Sequence, residues 1–395
     1  MECSARVTAI LLICSGFGLA SAAGIPHTID ADGPAQGVRP LALRELWRVG
    51  GEDEDVMFGR IAGLKMHPDG SLYVLDNQLC HVVVLSAEGE HLRDLSREGD
   101  GPGELRQPVG LVLLADNVLG VAMGFPGKLV TIGLDGTPIG TQYPVGAPAE
   151  GNVAIMMSLQ CVDGVLVASG GRIAIVPNGE SHTNRFLSVG DASLGEFHHI
   201  LETPTPFDPT GRVFVEADDY YIDGSWALGS GGRIYAPMKR DGYEISEFDT
   251  AGTLVRVFGR RCEARKRTPA EKDRVSPLID PGTPAITDWT IEDHDPCVTR
   301  IMVNPDDDTI WVLTPQGHED QPEGILETWD VFAPDGQYLR QVPIPLGHEM
   351  KEGTCYLVGS GRMVVVRGTG SAFNTREDDA ETEIEPLEVI CYQMQ

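Results

Sequence analysis

The sequence predicts an all-β fold, a β-propeller of six four-stranded blades closed by an N-terminal strand. Three observations carry that prediction: short apolar runs bounded by Gly, Asp, Asn or Pro dominate the chain, they recur with a period near 47 residues, and Asp-Gly or Asn-Gly pairs punctuate the repeats. Gly (47) and Pro (27) make up close to a fifth of the 395 residues, against roughly 12% in average usage. With 42% hydrophobic and 23% charged residues the chain can build a large packed core, which excludes a wholly disordered or collagen-like polypeptide. The formal charge of −29 opposes binding to nucleic acid or to an anionic membrane.

Taken in order, residues 1–22 read as a cleaved signal peptide: one Arg, an apolar run over 7–19, then Ala20-Ser21-Ala22. The run is too short to span a bilayer, so a soluble exported protein, periplasmic or extracellular, is expected. Residues 23–40 read as a linker and 41–395 as one propeller domain. An orphan strand over 43–49 is expected to pair with 387–393 and tie the ring shut. The first unit follows: strands at 61–66, 71–75, 81–85 and 91–95, with turns at Pro68-Asp69-Gly70, Asp76-Asn77 and Glu88-Gly89. The second runs over 109–139, turning at Asp116-Asn117 and Asp135-Gly136, so that Gly89 and Gly136 stand 47 residues apart. The third, over 153–187, turns at Asp163-Gly164 and Asn178-Gly179. Gly231-Gly232 and Ala251-Gly252 mark the fourth, Asp307-Asp308 and Asp335-Gly336 the fifth, and Ser360-Gly361 the sixth. Six sheets packed radially bury faces that one sheet alone would leave exposed. Between the fourth and fifth units, Thr268-Pro269-Ala270-Glu271 reads as a capped start of a short helix ending by Pro277, inside an insertion over 262–297.

The segment from Arg97 through Gly99-Asp-Gly-Pro-Gly-Glu-Leu to Pro108, and His67-Pro-Asp-Gly-Ser-Leu-Tyr-Val-Leu-Asp76, resemble the NHL-repeat and related six-bladed propeller families. In those families a Gly-Pro-Gly-acid-apolar stretch leads into the innermost strand of a blade. The likeness is specific over about 59–142 and is carried by turn spacing after 297. Related propeller lactonases and strictosidine-synthase-like proteins would imply a catalytic calcium site, and peptidyl-amidating lyases a zinc site with His ligands from several blades. The inner-strand Glu and the Asn and Asp residues of the former are not found at matching positions, and the histidines here show no spacing that repeats by blade.

Oxygen ligands from several blades could still meet at the channel mouth, so Asp76, Asn77, His199 and Asp295 are the candidate metal ligands. A turn-forming role suits Asp76 better. No Gly-x-Ser-x-Gly precedes a helix, which argues against serine hydrolysis. Eight of the 30 basic residues crowd into 256–274 of this acidic chain, and Arg260, Arg261, Arg265, Lys266 and Arg267 are the candidate ligand- or partner-binding residues. Neutralisation of acidic neighbours is the competing reading. The run over 377–385, with six acids, reads as a solvated loop. Of six cysteines beyond the signal, Cys262 and Cys297 bracket the insertion and are the one pair expected to form a disulfide. The functional reading is a monomeric binding scaffold that takes an unknown ligand or protein partner through its channel-face loops. It needs no cofactor, no nucleic acid and no membrane span. The alternative is a metal-dependent lactone hydrolase or lyase using calcium or zinc.

Overall fold

The computed structural model describes residues 25–30, 33–51, 56–114, 117–147, 152–174, 181–193, 195–207, 211–275, 286–346, 353–368 and 386–395. The signal sequence, Asp116, Asn178-Gly179, Pro277 and the acidic run over 377–385 lie outside these residues. Six antiparallel sheets of four strands form a ring. Blade one is Ile61–Met66, Leu72–Asp76, His81–Leu85 and His91–Leu95, and blade two Pro108–Leu114, Val118–Met123, Lys128–Gly133 and Pro138–Gln142. Blade three has the longest strands, Asn152–Val162, Val165–Ala174, Ser181–Asp191 and His198–Phe207. Blade four is Ala227–Gly229, Arg233–Ala236, Glu244–Phe248 and Leu254–Arg260, and blade five Arg300–Val303, Ile310–Leu313, Ile325–Phe332 and Tyr338–Pro345. Blade six joins Gly353–Gly359, Arg362–Arg367 and Glu388–Met394 to the N-terminal Leu43–Gly50 as its outer strand. Leu43 pairs with Met394 and Gly50 with Glu388, the ring closure expected from sequence.

Alternation along the second strand of blade one shows how the ring is held. Leu72 and Val74 pack into the cluster shared with blade six, while Tyr73 and Leu75 enter the cluster shared with blade two. Both faces of such a strand are buried, which is why its sequence is continuously apolar. Six apolar clusters result, one at each blade-to-blade junction, and the largest buried side chains, such as Trp329, Tyr338 and Phe186, sit in them. The turns between strands carry the expected positive φ. Gly89 has φ +88°, and a Cβ there would come within 2.7 Å of the Trp47 ring, so both backbone and packing demand glycine.

Within the stretch 23–40, expected to be a linker, the described residues 25–30 and 33–40 instead carry a strand and strap the outside of the ring. His27–Asp30 adds in parallel to the outer strand of blade four, giving that blade a fifth strand. The N–H groups of Ala35, Gln36, Arg39 and Leu41 then donate to the carbonyls of Tyr338, Leu339, Gln341 and Pro343 along blade five, before the chain becomes the outer strand of blade six. Unpaired outer edges attract other strands, and the strap covers two of them while its continuation completes blade six.

The helix in the insertion spans Pro269–Val275. It starts with a reciprocal cap: Glu271 accepts from the Thr268 N–H at 2.6 Å and the Thr268 hydroxyl accepts from the Glu271 N–H at 3.3 Å. A second, five-residue helix, Pro315–Glu319, follows the second strand of blade five, its N-terminus capped by Thr314. Arg212–Val215 and Ile286–Thr290 pair in parallel outside the ring of blades. No helix among the described residues is long and apolar enough to cross a membrane.

Candidate functional site

Strand order places the loops between second and third strands, and the connections between blades, on one face around the channel. The hairpin turns lie on the other. Asp76 and Asn77 belong to the channel face. The buried Asp76 carboxylate is fully occupied by backbone donors: Gly59 N–H reaches Oδ2 at 2.6 Å, while Gln78 and Leu79 at 2.9 Å and Arg60 at 3.2 Å reach Oδ1. The Asn77 Oδ1 accepts from the Arg60 guanidinium at 2.7 Å. Both residues thus pin the loop after the second strand to the start of the innermost strand.

His199 lies near the opposite face of blade three, its ring stacked on Phe186 at 3.7 Å, and desolvation there, with Arg172 nearby, lowers its pKa below the usual histidine value. Its neighbour His198 points to the other side of the strand and meets the Thr250 carbonyl at 2.7 Å. Asp295 is in the insertion and accepts from Arg267 at 2.6 Å and Arg265 at 3.0 Å. The four candidate ligands are therefore not brought together. Among the described residues no three His, Cys, Asp or Glu side chains are grouped so as to hold a metal.

The basic segment is largely neutralised from within. Arg260 pairs with Asp330 at 2.7 Å and lies over the Tyr243 ring at 4.7 Å. Asp330 is itself saturated, accepting also from the Tyr243 and Tyr338 hydroxyls and from Gln341. Arg265 bridges Glu271, Asp295 and Asp320, and Arg267 bridges Glu216 and Asp295. Burial would push the Glu216 carboxyl up, but the Arg267 and Arg240 guanidinia hold it below its usual value. These pairs staple the insertion to the segment before blade four. Arg261 and Lys266 are the two of the five that remain exposed at the surface. Cys262 and Cys297 are brought side by side as free thiols, with no disulfide between them. The neighbouring Cys297 thiol lowers the Cys262 thiol below its usual value, and Cys262 together with burial raises that of Cys297.

Two features of the channel face were not singled out from sequence. The first is apolar. Met57, Leu79, Phe125, Tyr143 and Met238 all sit in its loops and connections with their side chains exposed, Met57 by 75% and Phe125 by 63%. Other exposed apolar side chains lie elsewhere: Leu92 and Ile139 just past hairpin turns of the opposite face, and Ile25, Ile29 and Val38 on the strap. Apolar side chains exposed by several blades on one face are the material of an interaction surface. The signal in the sequence is Leu, Phe or Met in the short loop that follows a second strand, legible only once the strands are ordered.

The second feature is the sign of charge in the channel. The innermost strands are Ile61–Met66, Pro108–Leu114, Asn152–Val162, Ala227–Gly229, Arg300–Val303 and Gly353–Gly359. They contain no carboxylate, and their two charged residues, Lys65 and Arg300, are both cations, in a chain of net charge −29. Arg300 lies over the rings of Tyr356 at 5.0 Å and Trp329 at 5.8 Å. Burial pushes the Lys65 amine below its usual range, and Arg300 acts in the same direction. Neither cation makes a hydrogen bond or ion pair through its side chain among the described residues.

No protein-family model and no curated protein sequence matches the chain. Among solved structures, a DUF4221-family protein from Bacteroides vulgatus is similar with a TM-score of 0.52 at 12% identity, covering 90% of this chain and 99% of that one. The calcium-binding protein regucalcin from Agrobacterium tumefaciens gives a TM-score of 0.44 at 13% identity, over 91% and 97% of the two chains. A streptogramin B lyase gives 0.43 at 9% identity, over 90% and 98%. At such identities the likeness concerns architecture, and this chain is a six-bladed β-propeller.

Proposed function

We propose that the protein is an exported binding module that takes a ligand with an apolar body onto its channel face, and that binding rather than catalysis is its work. The observation that carries the reading is the set of exposed large apolar side chains, Met57, Leu79, Phe125, Tyr143 and Met238, that the loops and connections of one face carry. Leaving such side chains in water forgoes roughly 25 cal/mol for each Å² that burial would recover, which a ligand of matching surface would supply. The signal-like residues 1–22 support export. The metal-dependent alternative needed ligands converging from several blades, and Asp76, His199 and Asp295 lie in separate parts of the molecule with their donors engaged or apart.

The test is a fluorescence titration with Nile red, a neutral apolar probe, on the wild type and on a Leu79→Ser, Phe125→Ser, Met238→Ser triple variant. All three side chains are exposed, so the variant should keep its melting temperature while losing at least tenfold in probe affinity. Equal affinity in both proteins would overturn the assignment of the face.

A further inference from the structure

We propose that the central channel holds an oxoanion site formed by the Lys65 ammonium and the Arg300 guanidinium, and that the ligand of the channel face carries a carboxylate or phosphate seated there. The inference deepens the proposed function and rests on it.

The channel inverts the charge of the molecule around it. An acidic protein has ample carboxylates to neutralise its cations, and it uses them in the insertion, where Arg265 and Arg267 contact four carboxylates between them. Along the innermost strands it uses none. Lys65 projects from blade one and Arg300 from blade five, the two blades that flank blade six, near enough for Arg300 to act on Lys65, so an anion between them would take donors from two blades. Two partly buried cations without an ion-pair partner repel each other, and the buried Glu327 carboxylate near Arg300 is itself engaged by the Trp329 indole N–H and by His318; an anion entering the channel removes that repulsion. The low-dielectric walls strengthen that attraction relative to the outer surface.

Arg300 is also positioned for this work. Its guanidinium lies over Tyr356 and Trp329, which limit its motion and leave its donors without carboxylate partners. A planar guanidinium so held presents a fork matched to two oxygens of one oxoanion. Lys65 adds a compact point charge. Cys161 on blade three, which acts on Lys65, and Cys355 and Tyr356 on blade six, which face Arg300, are all pushed up by burial and stay neutral, so they do not compete with a ligand for the two cations. The apolar rim above then accounts for the remainder of an amphipathic molecule.

Isothermal titration of the full mature chain with octanoate, octyl phosphate, octanol and inorganic phosphate tests the assignment. Either or both of octanoate and octyl phosphate should bind at one site, and which of them binds more tightly identifies the head group. Octanol should bind at least tenfold more weakly than the better of the two. Lys65→Met and Arg300→Gln should each reduce that affinity at least tenfold while leaving octanol unchanged, and Arg300→Lys should recover part of the loss. A measurement on the unaltered protein guards against variants that misfold: acetylation of Lys65, read by peptide mass spectrometry, should slow when octanoate or octyl phosphate saturates the site, while Lys272, in the helix of the insertion, serves as internal control. Octanol binding as tightly as the anions, with Lys65 unprotected, would overturn the oxoanion site and leave the apolar face standing. Binding of none of the four probes, with Nile red also unbound, would overturn both readings. Inorganic phosphate alone binding would mean an adventitious ion only, and would overturn the proposal.

Discussion

Replacing Asp76 by alanine tests whether that carboxylate is a fastener of the backbone or a ligand in waiting. The side chain is completely buried and accepts four backbone N–H groups, from Gly59, Arg60, Gln78 and Leu79. Net hydrogen bonds to a charged acceptor contribute about 1.5–3 kcal/mol each when taken singly, but four bonds to one carboxylate are not additive, and water entering the vacated space recovers part of the loss. A loss of about 3–5 kcal/mol is expected for Asp76→Ala, the range reached when a buried polar network is broken. Asp76→Asn keeps one oxygen for the three donors on Oδ1 but turns an amide N–H₂ toward the Gly59 N–H, now 2.6 Å from Oδ2, and should cost about 1–2 kcal/mol. Urea denaturation followed by tryptophan fluorescence reads both, with and without added calcium. An unchanged midpoint in Asp76→Ala would refute the reasoning. So would a calcium-dependent rise in the wild-type midpoint that vanishes in the variant, since that would make Asp76 a metal ligand.

Other outcomes follow from the same geometry. Oxidised glutathione should convert the Cys262 and Cys297 thiols to a disulfide, closing a loop of roughly 36 residues and stabilising the chain by about 4 kcal/mol in the loop-entropy account; both thiols remaining open to alkylation after oxidation would contradict their adjacency. Deleting residues 25–41 should uncover the outer edges of blades four and five, lowering the melting temperature and promoting self-association in sedimentation, whereas an unchanged monomer would show the strap to be dispensable. His318, whose ring nitrogen lies 3.3 Å from the buried Glu327, has its pKa raised above 6.5 by that hydrogen bond. The folded state therefore holds the proton more tightly than the unfolded chain: the pair's contribution is full below about pH 6.5 and is lost as pH rises through the raised value. Stability measured across pH 6 to 9 should show that decline in the wild type and not in His318→Gln.

The ring was legible because its repeats are punctuated by glycine. Gly89, Gly136, Gly164, Gly252 and Gly336 occupy positive φ in the turns where the sequence placed them, and strand 43–50 closes blade six in the expected pairing. The strap was not legible, since His27-Thr-Ile-Asp30 is four residues long and its partner strand is more than 200 residues away. Local patterning carries no information about which distant edge needs covering. The basic segment was visible as composition, but its meaning depended on where Glu216, Asp295 and Asp330 fold, and these come from separate parts of the chain. Lys65 and Arg300 escaped notice for a related reason: a single cation in an apolar strand is unremarked until all six innermost strands are set side by side and prove to lack acids. Chemistry that belongs to a ring of strands is distributed one residue per blade, and it becomes visible only in the assembled channel.

The most direct test of the central claim, that the channel face is where this propeller binds, is hydrogen–deuterium exchange of the full mature chain with and without saturating octanoate. The account predicts slowed exchange in the innermost strands of blades one and five and in the channel-face loops at 77–80, 124–127 and 237–243, with no change in the hairpin turns of the opposite face. Protection confined to those hairpin turns or to the outer strands would contradict it.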